Sequence, residues 1–114
     1  MIIAVVEIQM PPQMRRADIV AVFRDYGPKW HKVPGLIRKY YTLGDHHDTG
    51  GVFLWQSRAA AEAAYADPAW HKLIQERYGA SPRVTYYDIP VIVDNEAGRL
   101  ECQDVPQDEP IAAE

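Results

Sequence analysis

The segment from residue 34 to residue 57 constrains the fold most, because it predicts two strands joined by a polar loop and followed by a helix. Leu36 to Leu43 is rich in aromatic and β-branched residues, and Val52 to Trp55 is an apolar strand. Between them, Gly44 to Gly51 is a run of turn formers. Ser57 is a typical N-cap for the alanine-rich helix that follows. We therefore expect this hairpin in the middle of a small sheet, with one helix before it and one after it.

One strand and one helix precede the hairpin. Ile2 to Met10 is an almost unbroken apolar run that stops at Pro11-Pro12, which predicts a strand with both faces covered. Arg15 to Lys32 has apolar side chains at spacings of three and four residues, which predicts a helix with one buried stripe. Gly27-Pro28 interrupts this pattern, so we expect a break or kink there.

A helical segment and a long strand follow the hairpin. The alanine-rich stretch from Arg58 to Ala66 predicts a helix, and Asp67-Pro68 predicts that the helix restarts. Gly79 predicts its end. Pro82 to Val93 predicts a fourth strand, in which Pro90 implies a sheet edge or a bulge because proline cannot donate to a strand ladder.

The predicted order is β-α-β-β-α-β, which indicates an α+β fold with a ferredoxin-like, four-stranded antiparallel sheet over residues 1–94. Both helices of this arrangement lie on one face of the sheet. Apolar side chains on both strand faces require the other face to be covered too, and sheet-to-sheet dimerisation would cover it. Residues 95–114 lose periodicity and become acidic, so we expect a flexible tail or an arm that lies on a partner subunit.

Length, charge and cysteine content exclude several classes of protein. A chain of 114 residues forms one domain with room for a small pocket. The net charge of −4 resides in the acidic tail, and the body has no basic stripe, which argues against a nucleic-acid partner. The single cysteine, Cys102, excludes an intrachain disulfide and a cysteine-based metal cluster. Because no apolar run could span a membrane and the start lacks signal-peptide features, we expect a cytoplasmic protein with no membrane partner.

Two stretches of the chain resemble a known family. The segment PGLIRKYYTLGDHHDTGGVFLWQSRAAAEAAY and the ending VTYYDIPVIVDN resemble the YdhR-like monooxygenases. That family belongs to the dimeric α+β barrel superfamily, alongside the antibiotic-biosynthesis monooxygenases. The resemblance covers residues 2 to 94 and implies a homodimer with a pocket between the sheet and the helices of each subunit. It also implies an enzyme that oxidises a small aromatic or quinol-like substrate with O2 and without a cofactor.

The same superfamily suggests two alternatives. Related members bind and degrade haem with an aromatic residue on strand three and a histidine on the second helix. Trp55 and His71 resemble that pair by element, so haem is the alternative cofactor. The other alternative is a dimer that binds a small molecule without catalysis.

Aromatic side chains are the candidates for holding a flat substrate. Trp55 and Trp70 are expected to clamp the ring, because indole offers a large, rigid, apolar face. Phe53, Trp30 and Tyr65 complete the expected substrate contacts. The alternative for Trp55 is that it fills the core, as large aromatic side chains usually do.

Three polar side chains are candidates for catalysis. Arg38 and Tyr40 share a strand face, and on the hypothesis that Trp55 lies on the same face they would stabilise a phenolate or enolate. The alternative for Arg38 is a salt bridge in a dimer interface. His71 lies one step from the buried stripe of the second helix, so it is a candidate general base. The alternative is a boundary histidine in contact with water.

The histidine-rich stretch His46-His47-Asp48 contains side chains that bind metals. Neighbouring residues in a loop seldom point the same way, and no third ligand is evident in the sequence, so we predict no metal site. Glycine-rich phosphate loops, serine elbows and zinc-helix motifs do not occur in the sequence either.

Overall fold

The computed structural model describes residues 1–107. One antiparallel sheet contains β1 (Ile2–Gln9), β2 (Leu36–Leu43), β3 (Asp48–Trp55) and β4 (Arg83–Asp88). The spatial order of its strands is β2-β3-β1-β4, which is the ferredoxin-like order. The helices are α1 (Arg16–Tyr26), a short 3₁₀ helix (Gly27–Trp30), α2 (Arg58–Tyr65) and α3 (Pro68–Tyr78). The predicted α+β fold with a four-stranded antiparallel sheet is confirmed.

The helices begin and end at the residues that the sequence marks. α1 ends at Tyr26, and the chain continues as a 3₁₀ helix through Gly27-Pro28, so the predicted break is confirmed. The side chains of Ser57 and Asp67 each accept a backbone N–H from the first turn of α2 and α3, respectively. Gly79 ends α3 with a φ of 66°. Among residues 1–107, no helix has both the length and the apolar character needed to cross a lipid bilayer.

Strand β3 is longer than the sequence predicts. One of its additional residues is a glycine at which the backbones of β3 and β1 approach closely. β3 begins at Asp48, and Gly50 has a φ of 148°. A Cβ on Gly50 would lie 1.8 Å from the carbonyl oxygen of Val6 on β1, so only glycine fits there. The prediction of a loop that extends to Gly51 is therefore wrong, because the second half of that stretch belongs to the strand.

The predicted fourth strand is two strands in the structure. β4 ends at Asp88, and Pro90 separates it from β5 (Val91–Asp94) because proline cannot continue the ladder. β5 pairs with β6 (Arg99–Cys102) in a separate antiparallel hairpin. The prediction of one strand that reaches Val93 is therefore wrong. The hairpin also crosses the predicted boundary between domain and tail, and β6 is a regular element inside the predicted tail.

The β5–β6 hairpin presents an apolar face to solvent. Val91, Val93 and Leu100 are 50%, 62% and 66% exposed. The radius of gyration is 15.9 Å, against about 13 Å for a compact chain of this length, so the molecule is more extended than a compact domain. Residues 108–114 lie outside the described residues, and an arm that lies on a partner subunit stays a prediction.

The α-helices cover one face of the four-stranded sheet, and the core lies between them. Alternate residues of β1 face the helices and are buried, namely Ile2, Ala4, Val6 and Ile8. The opposite face, which we call the open face, carries Tyr40 and Tyr87, each 54% exposed. In the single chain, the helices therefore cover one face of β1. The prediction that both faces are covered is confirmed for that face alone.

Candidate active site

A cavity of about 390 Å³ lies between the helix-covered face of the sheet and helices α1 and α3. Its lining is mostly apolar, with few polar groups, which is typical of sites that bind small organic molecules. The aromatic residues of the lining include Tyr26, Trp30, Tyr41, Phe53, Trp70 and Tyr78.

Lys39 places its amine in this cavity among aromatic rings. Its Nζ atom lies 4.2 Å from the ring centre of Trp30, 3.7 Å from that of Tyr41 and 4.5 Å from that of Phe53. Within residues 1–107 no carboxylate lies within ion-pair distance of it, and the carboxylate of Asp67, which borders the cavity, caps α3 instead. Burial lowers the pKa of Lys39 from 10.5 to about 7. At neutral pH the amine is therefore divided between its neutral and charged forms.

Strand pairing and a second glycine give Lys39 its position. Lys39 pairs with Phe53, and Tyr41 pairs with Gly51, so all four positions belong to the helix-covered face. A Cβ on Gly51 would lie 3.3 Å from Cε of Lys39 and 3.0 Å from Cε1 of Phe53. The missing side chain at Gly51 thus leaves the space through which the lysine stem reaches the cavity.

Three tyrosines form the second polar feature of the cavity. Tyr26 is the last residue of α1, Tyr78 is the last residue of α3, and Tyr41 lies on β2. The hydroxyl oxygens of Tyr26 and Tyr41 are buried and have no hydrogen-bond partner within residues 1–107. Burial raises the pKa of Tyr41 to about 12, with a smaller contribution from Tyr78. The Tyr41 hydroxyl is therefore protonated at neutral pH and is a hydrogen-bond donor.

Three of the five predicted substrate contacts line the cavity, and two lie behind it. Trp30 meets Trp70 edge to face at 6.4 Å and Phe53 at 5.1 Å, and all three are in the lining. Trp55 is fully buried, stacks on Phe53 at 6.0 Å and donates its Nε1–H to the hydroxyl of Tyr65 at 3.1 Å. Neither Trp55 nor Tyr65 belongs to the cavity lining, so the structure shows the alternative in which Trp55 fills the core.

Arg38 and Tyr40 lie on the open face of the sheet, away from the cavity. A β-bulge between Leu36 and Arg38 shifts the register, so Leu36 pairs with Trp55 but Arg38 pairs with Leu54. The guanidinium of Arg38 donates a hydrogen bond to the hydroxyl of Tyr40 at 3.1 Å. The hypothesis that these two residues share a face with Trp55 is therefore wrong, because the bulge moves them to the other face.

His71 binds the main chain between α2 and α3. Its Nε2 atom lies 2.6 Å from the carbonyl oxygen of Tyr65, and because a carbonyl oxygen only accepts, Nε2–H is the donor. The imidazole thus satisfies a carbonyl at the end of α2 and packs edge to face on Trp70 at 5.0 Å. His71 is not part of the cavity lining. The structure shows the boundary histidine that was the alternative to a general base.

The histidine-rich turn also makes a main-chain contact. His47 has a φ of 65°, and its Nε2 atom lies 2.6 Å from the carbonyl oxygen of Met14. His46 and Asp48 are exposed. In the part of the chain that the structure describes, no three histidine, cysteine or acidic side chains come together as a possible metal site.

Lys39, Tyr41 and Tyr26 line the cavity but are not among the site residues predicted from the sequence. Lys39 and Tyr41 alternate along β2 with Arg38 and Tyr40, so the same alternation singles them out once the cavity face is known. Tyr26 falls in the apolar stripe of α1, where periodicity does not distinguish tyrosine from phenylalanine.

Several monooxygenases of known structure share this fold. A monooxygenase from the gene ActVA-Orf6 of Streptomyces coelicolor, in complex with the ligand Nanaomycin D, has a TM-score of 0.64 and 16% identity over 81% of this chain and 89% of that chain. A protein of Bordetella bronchiseptica assigned to the antibiotic biosynthesis monooxygenases has a TM-score of 0.60 and 18% identity over 77% of this chain and 95% of its own.

A further antibiotic biosynthesis monooxygenase has a TM-score of 0.60 and 18% identity over 78% of this chain and 98% of its own. No protein-family model and no curated protein matches the sequence. At these identities the likeness establishes the fold alone.

Proposed function

We propose that this protein is a cofactor-independent monooxygenase that oxidises a small aromatic or quinol-like substrate with O2 in the cavity. The observation that favours this function is Lys39, an amine enclosed by aromatic rings with no carboxylate partner within residues 1–107. Lys39 is partly buried, charged side chains rarely lose water without gaining a partner, and strongly perturbed groups in clefts are concentrated at functional sites. The fold shared with monooxygenases supports the same class of reaction.

Lys39 suits the first step of such a reaction. A phenolate or enolate gives an electron to O2 more readily than the neutral compound, so the substrate must lose a proton. Neutral Lys39 accepts that proton, and its ammonium group then stays beside the anion as a counter-charge. A pKa of about 7 allows both states near neutral pH. In this proposal Lys39 takes the roles that the sequence suggested for Arg38, Tyr40 and His71.

The remaining lining holds the ring and excludes water. Trp30, Trp70 and Phe53 present flat apolar surfaces to an aromatic substrate. In an anthrone-like substrate the overall reaction converts a ring CH2 group and one O2 into a carbonyl group and one water, and in a phenol it converts the O–H and a ring C–H with one O2 into the two carbonyl groups of a quinone and one water. The four electrons that leave the substrate reduce the oxygen, so the substrate itself is the reductant.

Oxygen uptake by metal-free and haem-free protein tests the proposal, with a panel of phenols, quinols and anthrones as substrates. Wild type is expected to consume oxygen, and Lys39→Met is expected to lose at least about a hundredfold in rate. The control is Lys72→Met, because Lys72 is exposed on α3 and pairs with Glu76 outside the cavity. Equal rates in wild type and Lys39→Met would place the chemistry elsewhere, and a panel without any uptake would contradict an oxygenase.

The second candidate function is binding of a small aromatic molecule without catalysis, because the same apolar cavity would hold such a ligand. Saturable binding in calorimetry together with no oxygen uptake would favour this candidate.

The haem alternative has less support from the geometry. Trp55 lies behind Phe53, and His71 is bound to the Tyr65 carbonyl, so neither side chain faces the cavity.

We also propose a homodimer that packs through the open face of the sheet. Tyr40 and Tyr87 on this face and Leu100 on the hairpin are each more than half exposed, and large exposed side chains of this kind are typical of interaction sites. Sedimentation is the test. Wild type should sediment as a dimer, and Tyr87→Asp should shift it to the monomer; a wild type that is monomeric at all concentrations would refute the dimer.

A further inference from the structure

The amine of Lys39 lies among aromatic rings, yet it can be reached from the cavity. Among residues 1–107, the side-chain oxygens and nitrogens that are both sealed from solvent and without a partner are the hydroxyls of Tyr26 and Tyr41. Nζ of Lys39 also has no hydrogen bond or ion pair in that part of the chain, but it is not one of the sealed atoms. It lies within 4.5 Å of the ring centres of three residues that line the cavity, so a molecule in the cavity can touch it.

The cavity reaches the surface of the protein. Its lining includes Lys29, Asp67 and Ala69, which are exposed to solvent. A small molecule can therefore enter beside these residues without unfolding the domain. The volume of about 390 Å³ is at the small end of the range for ligand pockets, so the cavity suits compounds with a single ring.

An amine in these surroundings is a nucleophile at neutral pH. Attack on a carbonyl carbon needs the nitrogen lone pair, which a protonated amine does not have. Burial lowers the pKa of Lys39 to about 7, so about half of the amine is neutral at pH 7, against about one molecule in a few thousand for a lysine of ordinary pKa. Lysines that lose water in apolar pockets form Schiff bases with carbonyl compounds for this reason.

The other titratable groups of the lining do not compete for this role. They are Lys29, Asp67, Tyr26, Tyr41 and Tyr78. Nζ of Lys29 lies over the ring of Tyr26, 4.4 Å from its centre, and the carboxylate of Asp67 accepts a backbone N–H of α3 at 3.0 Å. Burial raises the pKa of Tyr41 to about 12 and also raises that of Tyr78, so both phenols keep their protons at neutral pH. Lys39 is therefore the strongest nucleophile of the lining.

We infer that Lys39 is an imine-forming lysine, which captures small apolar aldehydes covalently inside the cavity. The rings of Trp30, Tyr41 and Phe53 around Nζ favour an uncharged aldehyde over a charged one, because a charged group would lose its water there. This activity needs no oxygen and does not rest on the oxygenation proposed above. It gives the same amine a second reaction, in which nitrogen forms a bond to carbon instead of accepting a proton.

The reaction of the amine with an aldehyde needs no further reactant. The lone pair of Nζ forms a bond to the carbonyl carbon, and the π electrons of the carbonyl group move to its oxygen. A proton passes from the nitrogen to that oxygen, which gives a carbinolamine. The nitrogen lone pair then forms a C=N double bond while the C–O bond breaks, and the hydroxide that leaves takes the remaining N–H proton to become water. Nothing is oxidised or reduced in this sequence.

Reductive trapping under nitrogen at pH 7 tests the inference, with benzaldehyde as the probe and cyanoborohydride as the hydride donor that makes the imine permanent. Mass spectrometry of the digested protein should find the benzyl group on Lys39 at a level at least about tenfold above that on Lys72. Lys72 is the internal reference because it is exposed on α3, outside the cavity. Lys39→Met should lose this preferred site, whereas Lys72→Met should keep it. Peptide mapping counts the N-terminal amine separately.

A charged probe shows whether the capture occurs inside the cavity. 4-Formylbenzenesulfonate has the same aldehyde on a ring that carries a permanent negative charge, so it should label Lys39 at least about tenfold less than benzaldehyde does. Equal labelling of Lys39 by both probes would overturn the inference, and so would a wild type in which benzaldehyde labels Lys39 no more than Lys72. If Lys39→Met fails to fold, these two ratios in wild type decide the question. Because oxygen and phenols are absent, the result is independent of oxygen uptake.

Discussion

Replacement of Lys39 by methionine is expected to make the protein more stable while it removes the proposed activity. Methionine has a flexible, unbranched side chain that can follow the path of the lysine stem through the space beside Gly51. It carries no charge, so the cost of burying an amine disappears. The aromatic rings around Nζ would then contact a thioether, which packs well against aromatic groups.

The size of the gain follows from the pKa of Lys39. Burial lowers it from 10.5 to about 7, and each pKa unit corresponds to about 1.4 kcal/mol, so the linked cost is on the order of 4 kcal/mol at pH 7. Lys39→Met should therefore raise the free energy of unfolding by several kcal/mol at pH 7, up to about 4 kcal/mol.

The pH dependence of this gain has a definite sign. Between about pH 7 and pH 10.5 the unfolded chain keeps its lysine proton while the folded protein has lost it. The unfolded state then binds more protons, so the stability of wild type rises with pH across this window. Below about pH 7 both states are protonated, and the full cost is present. The advantage of Lys39→Met should therefore be largest at and below neutral pH and should shrink toward about pH 10.

Urea unfolding of wild type and Lys39→Met over a series of pH values measures the difference in their free energies of unfolding directly. Lys72→Met is the matched control, because Lys72 is exposed and its replacement should leave the pH dependence of stability unchanged. If the free-energy gap between wild type and Lys39→Met were the same at acidic and alkaline pH, Lys39 would not be desolvated in the folded state. The proposed role of Lys39 as the proton acceptor would then be contradicted.

Three further substitutions test the structure around the cavity. Gly50→Ala should cost more than about 4 kcal/mol or prevent folding, because its Cβ would overlap the Val6 carbonyl oxygen; a variant with wild-type urea stability would disprove that close approach. His71→Ala should cost about 1 kcal/mol of unfolding free energy and leave oxygen uptake close to wild type, since its bond is to the Tyr65 carbonyl; lost uptake with full stability would restore a catalytic histidine. Trp55→Phe should cost about 2 kcal/mol in urea unfolding by removing the indole donor to Tyr65, and an unchanged midpoint would contradict that bond.

The order of elements could be predicted because local residues encode it. Gly27-Pro28 breaks the first helix, Ser57 and Asp67 cap the next two, and Gly79 ends the last of them, each through backbone geometry that involves only neighbouring residues. The error at the start of β3 has the opposite origin. Gly50 is required by a strand that is distant in sequence, so its local appearance as a turn former was misleading.

The site was harder to predict because its composition depends on which face of the sheet the helices cover. Alternation along β2 separates Arg38 and Tyr40 from Lys39 and Tyr41, but it does not say which pair faces the cavity. A β-bulge next to Leu36 decides that question, and a bulge is a property of strand pairing that a single strand does not reveal. Trp30, Trp70 and Phe53 could be placed at the cavity from the sequence, because large aromatic residues are typical of a cavity wall whether they bind a ligand or only pack the core.

The aromatic wall of the cavity also gives the protein an intrinsic fluorescence signal for events in the cavity. All three tryptophans of the chain belong to that wall or lie directly behind it, namely Trp30, Trp55 and Trp70. The intrinsic fluorescence of the molecule therefore originates almost entirely at this one place. The amine of Lys39 lies 4.2 Å from the indole of Trp30, close enough for its charge to alter the emission. Ligand entry and lysine titration can thus both be followed by light in the unlabelled native protein.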